Sequence, residues 1–251
     1  MSPVIRRLVA VAAAAAVAAA VAAPAAIAAD HTQQLNIGAE LVRQPAGKPW
    51  VVNLLLGADM GMSDGTAATP VDHMKFSFTT GAKVHSEAFG TCTEAKLRAG
   101  GPGACPANSR LGSGTATAYA LETQLPATID VLNGPGTPSN RKVLVFARAI
   151  QTVTVILTGT LKKTSGKYGW VLDLPVPPIP TGIGDNVAAI TTFNVKVGGF
   201  GRVKGKRVPF IEAPTACHSP GWPFLGEFHY ADGGSGTSAA VIGCTLKAAN
   251  T

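Results

Sequence analysis

Residues 152–161 read Thr-Val-Thr-Val-Ile-Leu-Thr-Gly-Thr-Leu. Val153, Val155, Leu157 and Leu161 alternate with Thr152, Thr154, Thr158 and Thr160. Successive side chains of an extended chain point to opposite faces, so a period of two with one apolar face specifies a half-buried β-strand. The β-branched residues that dominate the stretch reinforce that reading. The same alternation recurs at residues 34–41, 74–79 and 192–197. Residues 50–56 and 143–147 are apolar on both faces and are expected as central strands. Residues 112–121, 128–132, 168–174, 224–231 and 239–246 complete a set of about eleven strands.

Turns are expected at Asn133-Gly134-Pro135-Gly136 and Asp232-Gly233-Gly234. The one expected helix covers residues 93–99, with Thr93 as its N-cap. Leu174-Pro175-Val176-Pro177-Pro178-Ile179-Pro180 spells a stiff extended connector that crosses between sheets. Many short strands without βαβ alternation predict an all-β fold, an antiparallel β-sandwich of jelly-roll or immunoglobulin-like type.

The chain of 251 residues is 46% apolar and only 14% charged, with 29 Gly and 18 Pro. Part of that apolar content sits in one place. Arg6 and Arg7 precede an uninterrupted apolar run over residues 8–23, Pro24 breaks it, and Ala26-Ile27-Ala28 offers small residues for cleavage. This order predicts a signal peptide over 1–28 and one exported domain over 29–251, secreted or held in the cell envelope, with no membrane span after cleavage. The remainder is about 41% apolar, ordinary for a globular domain, and its high Gly and Pro content marks a turn-rich one.

All four cysteines lie in the exported part, where disulfides persist. Pairing Cys92 with Cys105 and Cys217 with Cys244 encloses a short segment each time, and closing a loop of about 15 residues contributes about 3 kcal/mol. The close Cys pairs typical of zinc sites do not occur in the sequence. The net charge of +7 falls by two, to +5, with the loss of Arg6 and Arg7. Arg202, Lys204, Lys206 and Arg207 form the densest basic run, read either as a contact for an anionic envelope partner or as a solvated hairpin tip. No aromatic platform lies within the run, so nucleic acid is not an expected partner.

Three patches carry a resemblance. They are Phe89-Gly90-Thr91-Cys92, then Cys105-Pro106-Ala107-Asn108-Ser109-Arg110-Leu111-Gly112-Ser113-Gly114-Thr115-Ala116, and finally Cys217, Tyr230-Ala231-Asp232-Gly233 and Cys244. Together they resemble a group of secreted, β-rich actinobacterial proteins whose role is unknown. The resemblance implies export, a β-fold and the two local disulfides, and brings no catalytic residues with it.

Catalytic signatures are sparse. Neither Ser113 nor Ser235 sits in G-x-S-x-G, and the sequence has no P-loop, HExxH or EF-hand loop. Gly112 and Gly114 are expected to let a strand pack close to another backbone. Glu227 and His229 share one strand face, with Asp232 at the strand end and His218 after Cys217, a grouping suited to acid–base work. Cleavage after Ala28 would make His31 the third residue, which with the free amine and two amides suits Cu(II) or Ni(II), with Met60 and Met62 as further soft ligands. No cofactor is expected.

Three functions compete. The first is a non-enzymatic binding or structural module directed at an envelope glycan, lipid or protein. The second is a glycan-directed hydrolase using Glu227 and His229. The third is a carrier of an apolar or lipid ligand. The content of the interior separates them: a polar pocket around Glu227 favours the hydrolase, a large apolar cavity the carrier, a filled core the first.

Overall fold

The computed structural model describes residues 30–42, 50–149, 153–181, 184–217 and 219–243. The expected leader, His218 and Cys244 lie outside these residues. The chain opens with β1 (His31–Val42), β2 (Val51–Met62), β3 (Val71–Thr79) and the short β4 (Lys83–Val84). The helix α1 (Glu94–Gly100) follows, then a meander of β5 (Arg110–Ala120), β6 (Thr123–Thr137), β7 (Asn140–Ala149), β8 (Thr154–Lys163) and β9 (Tyr168–Pro175). The last part holds β10 (Ile179–Pro180), β11 (Val187–Val197), β12 (Phe200–Val203), β13 (Lys206–Pro209), β14 (Ile211–Glu212), β15 (Trp222–Tyr230) and β16 (Ser235–Ile242).

The fold is all-β and antiparallel, and among the described residues the eleven long strands are those the sequence predicts. Jelly-roll and immunoglobulin-like orders divide their strands between two sheets; here one hydrogen-bonded sheet supplies both layers. Its order is β16-β15-β3-β9-β8-β7-β6-β5-β11-β2, with β1 paired on β2. The sheet folds over on itself: Phe76 on β3 and Phe193 on β11 stand six places apart in that order, yet their rings meet edge-on at 5.8 Å.

The two ends of the sheet also meet. β1 lies along β16 without a backbone ladder between them. The Leu35 N–H donates to Ser238 Oγ at 2.9 Å, and Gln33 Nε2 donates to the Thr237 carbonyl at 3.4 Å. His31 and Gln33 occupy the space where side chains at Gly234 and Gly236 would stand. His31 stacks flat on Tyr230, 3.9 Å between centroids.

One wall is apolar on both faces, as residues 143–147 predict. Val143, Val145 and Ala147 point into the curled sheet. Leu144 and Phe146 point outward and pack with Leu132, Leu97 of α1 and the Cys92–Cys105 pair. The disulfide between Cys92 and Cys105 is present, with Cα atoms 5.2 Å apart, and closes the segment that carries α1. Cys217 is also disulfide-bonded. Thr93 caps α1, its side chain accepting from the Lys96 N–H, and Glu94 Oε2 accepts from Thr158 Oγ1 on β8 at 2.7 Å.

The stretch Asn133-Gly134-Pro135-Gly136 corrects an expectation. It is not a turn: β6 runs through it to Thr137, and the turn falls at residues 138–139. A register shift between Asn133 and Gly136 absorbs the irregularity. Gly136 has φ 144°, and a side chain at Gly134 would meet the Lys142 carbonyl oxygen at 2.8 Å. Asn133, just before the shift, is 1% exposed and its Nδ2 donates to the carbonyls of Ser86, Phe89 and Gly90 at 3.0, 3.3 and 3.0 Å. Arg141 supports the same bulge by donating to the Gly134 and Gly136 carbonyls at 3.2 and 2.9 Å. The Asp232-Gly233-Gly234 turn forms as expected, with Asp232 Oδ1 accepting from the Gly234 N–H at 2.9 Å.

Buried carbonyls stripped of their donor cost about 1–3 kcal/mol, and an N-cap about 1 kcal/mol. Asn133→Ala is therefore expected to lower unfolding free energy by about 2–3 kcal/mol, and Thr93→Ala by about 1 kcal/mol, in urea denaturation. An Asn133→Ala loss no larger than that of Thr93→Ala would refute the anchoring role.

Candidate ligand-binding cavity

The concave face of the sheet encloses two cavities. The larger, about 170 Å³, lies toward the β5–β6 and β10–β11 end and is lined almost wholly by apolar side chains. Six of its lining residues are alanines: Ala116, Ala118, Ala127, Ala147, Ala149 and Ala188. The smaller, about 110 Å³, lies toward β14, under Trp170, Phe210 and Trp222. Among the described residues, Thr181 and Thr79 are the hydroxyl residues of the two linings, and no charged residue lines either. Leu56, Val131, Val143, Leu172 and Val197 border both cavities and form a waist between them.

Period-two alternation dictates this interior. On each strand the inward residues are apolar, and on β5, β6 and β7 several are Ala, which leaves room where Leu or Phe would fill it. Comparable engineered cavities of about 150 Å³ with apolar linings stay dry and bind benzene or xenon. The proline-rich connector crosses as expected, carrying the chain from β9 to β11 past four intervening strands. Its Val176 is buried and donates its N–H to the Asp72 carbonyl at 2.7 Å, while Ile179 and Pro180 line the larger cavity. At the opposite end the charges next to Val84 and Ile211 pair with one another. Lys83 meets Glu212 at 3.5 Å, and His85 stands 3.2 Å from both Glu87 and Glu212.

The outer wall is charged along the strands: Lys75 pairs with Glu227 at 2.9 Å, Lys196 with Glu40 and Arg110 with Asp130. Membrane-spanning barrels have the reverse polarity, an apolar outer band around a polar interior. No helix among the described residues is long and apolar enough to cross a membrane.

The structure keeps Glu227 and His229 on one face of β15 and sets Asp232 apart. Glu227 faces outward and is paired with Lys75, and His229 stacks on His73 at 5.8 Å, while His73 Nε2 lies 2.7 Å from Asp173. Neither Glu227 nor His229 lines either cavity. Asp232 sits apart at the end of the sheet, its carboxylate oxygens 3.1 and 3.0 Å from His31 Nε2. His31 is thus held in the seam. Its backbone pairs in register with Met62, Met60 is part of the core, and Met62 Sδ accepts from Thr69 Oγ1 at 3.8 Å. Among the described residues no three His, Cys, Asp or Glu side chains gather in a geometry that holds a metal.

Arg202, Lys204, Lys206 and Arg207 form the β12–β13 hairpin and its tip, with Lys204 and Gly205 at φ 49° and 79°. Arg207 lies over the Phe200 ring at 3.5 Å, and Arg202 donates to the Gly205 carbonyl. Gly112 and Gly114 do permit close backbone approach, since side chains there would collide with the carbonyls of Lys196 and Asn194 on β11. The lining alanines were missed as functional residues. The signal available for them was the run of small residues at alternate positions in Thr115-Ala116-Thr117-Ala118 and at Ala147 and Ala149.

No family model, curated protein or solved structure matches the chain.

The seam titrates at both extremes of pH. Burial, helped by the Asp232 charge, pushes the Tyr230 phenol from its ordinary 10.0 up to about 12. Stability from the neutral phenol is complete below pH 10 and is lost as pH rises toward 12. The Asp232 carboxyl is held below its ordinary 3.8, chiefly by the Gly234 N–H, with slight desolvation opposing and the His31 charge and hydrogen bonds from His31 and Thr69 adding. Its stability is present above 3.8 and is lost as pH falls through the depressed value. Melting temperatures are expected to drop between pH 10 and 12, less steeply in Tyr230→Phe, and below pH 3.8, less steeply in Asp232→Asn. Unchanged limbs in both variants would count against a titrating seam.

Proposed function

We propose that the protein is an exported carrier that binds an apolar small molecule inside its curled sheet. The observation that carries this reading is the pair of apolar cavities, about 170 and 110 Å³, kept open by alanines at inward positions. An apolar cavity costs about 24 cal/mol per Å³ when left unfilled, or about 4 kcal/mol for the larger one. Larger side chains at the six alanine positions would remove that cost. A ligand that binds the folded state offsets it instead. The leader expected over 1–28 and the disulfides support an extracellular or envelope location, where insoluble molecules need a carrier across water. The hydrolase reading is weaker, because Glu227 and His229 lie on the outer wall, away from the cavities.

The neutral fluorescent probe N-phenyl-1-naphthylamine tests the reading. It should bind the wild-type protein with enhanced emission. Ala147→Phe and Ala118→Leu should each weaken binding about tenfold or more while leaving the melting temperature equal or higher, because they fill space. Lys162→Gln, on the exposed face, should bind as wild type does. Failure of the wild type to bind, or equal binding by all four proteins, would overturn the proposal.

A further inference from the structure

The proposed carrier leaves open what shape and charge the ligand has, and the geometry of the interior bears on both. The larger chamber is lined by Ala188, Ile190, Phe193, Val195 and Val197 of β11, and the smaller chamber continues beyond Val197, so the two together form an elongated space. Leu56, Val131, Val143, Leu172 and Val197 border both chambers and stand between them. A rigid fused-ring molecule wide enough to fill one chamber cannot pass that waist. A flexible chain passes it with small rotations of branched side chains.

The lining also states what the ligand lacks. An ionised group taken from water into an apolar site needs a partner, and leaving it unpaired is very costly. Among the described residues the linings offer no charged side chain. Among the described residues, the buried side-chain polar atoms that make no hydrogen bond belong to no residue of either lining. The charges beside the smaller chamber, Lys83, His85, Glu87 and Glu212, already pair among themselves.

We infer that the ligand is an uncharged, single-chain apolar molecule that passes through the waist and occupies both chambers. This rests on the carrier reading and narrows it to neutral chain lipids, as opposed to fatty-acid anions or compact ring systems.

The test is displacement of N-phenyl-1-naphthylamine from the full exported protein by 1-octanol, 1-dodecanol and dodecanoate. Each buried methylene is worth up to about fourfold in affinity, so dodecanol should bind about tenfold or more tighter than octanol. Dodecanoate at pH 8 should bind about tenfold or more weaker than dodecanol. Val143→Phe should abolish the gain from octanol to dodecanol and leave octanol within about twofold, and Leu172→Phe, two strands away on the same wall of the waist, should do the same. Circular dichroism identifies a variant that fails to fold, and the wild-type series decides the matter without either one. Octanol and dodecanol of equal affinity would overturn the two-chamber inference while leaving the carrier reading intact. Dodecanoate as tight as dodecanol would overturn the uncharged ligand. A wild-type protein that binds neither probe nor alcohol would remove the carrier reading itself.

Discussion

The structure depends on how its sheet closes. Eleven long strands follow one another around the curl, each antiparallel to the next. Ten reversals bring the last strand back to the direction of the first, so β1 and β16 run the same way. The contacts agree: His31 lies by Gly234, Gln33 by Gly236 and Leu35 by Ser238, both chains advancing together. Antiparallel and parallel pairs have different hydrogen-bond patterns, so the regular pairing used around the rest of the curl cannot close it. Side chains do so instead, and glycine on β16 and in the turn before it gives His31 and Gln33 the room. The stack of His31 on Tyr230 and the Asp232 carboxylate beside it complete the seam.

Once closed, the sheet has an inside, and its contents follow from residue size. Phe76 and Phe193, which line the larger cavity, meet edge-on, and Phe228 packs edge-on against Phe76. Toward the β5–β6 end the inward positions pass to alanine, and the space widens. Hydrophobic burial would favour larger residues there, because filling an apolar void recovers both transfer energy and dispersion contacts. The β6–β8 wall around that space is held from outside by α1, tied down by the Cys92–Cys105 bridge and by Leu97, which is fully buried. A wall packed on both faces can border a cavity without collapsing into it. The proline-rich connector serves the end of the cavity in a similar way, since its fixed backbone angles limit how far Ile179 and Pro180 can retract.

Much of this was legible along the chain. The alternation in β8, β3 and β11, the Thr93 cap and the Cys92–Cys105 loop depend on neighbours a few residues apart, where stereochemistry leaves few options. The stretch Asn133-Gly134-Pro135-Gly136 was misread because glycine and proline serve a bulge as readily as a turn. Only the three carbonyls waiting at Ser86, Phe89 and Gly90 select the bulge. For Glu227, His229 and Asp232 the sequence says less than the structure adds. Period two places Glu227 and His229 on one face, but does not say that the face is the outer one, nor that Lys75 and His73 stand opposite them on β3.

The sequence by itself determined the strands, their order of polarity along each segment, the one capped helix and the short disulfide loop, because each is set by local geometry and by the alternation of side chains. It did not determine that one sheet supplies both layers, that β1 meets β16, or that the alanines of β5, β6 and β7 converge on one space. Those depend on register between residues as much as 200 positions apart, as with His31 and Asp232. Whether an inward alanine lies against a neighbour or leaves a void is decided by what stands across the interior, and only the closed sheet brings that opposite wall into place.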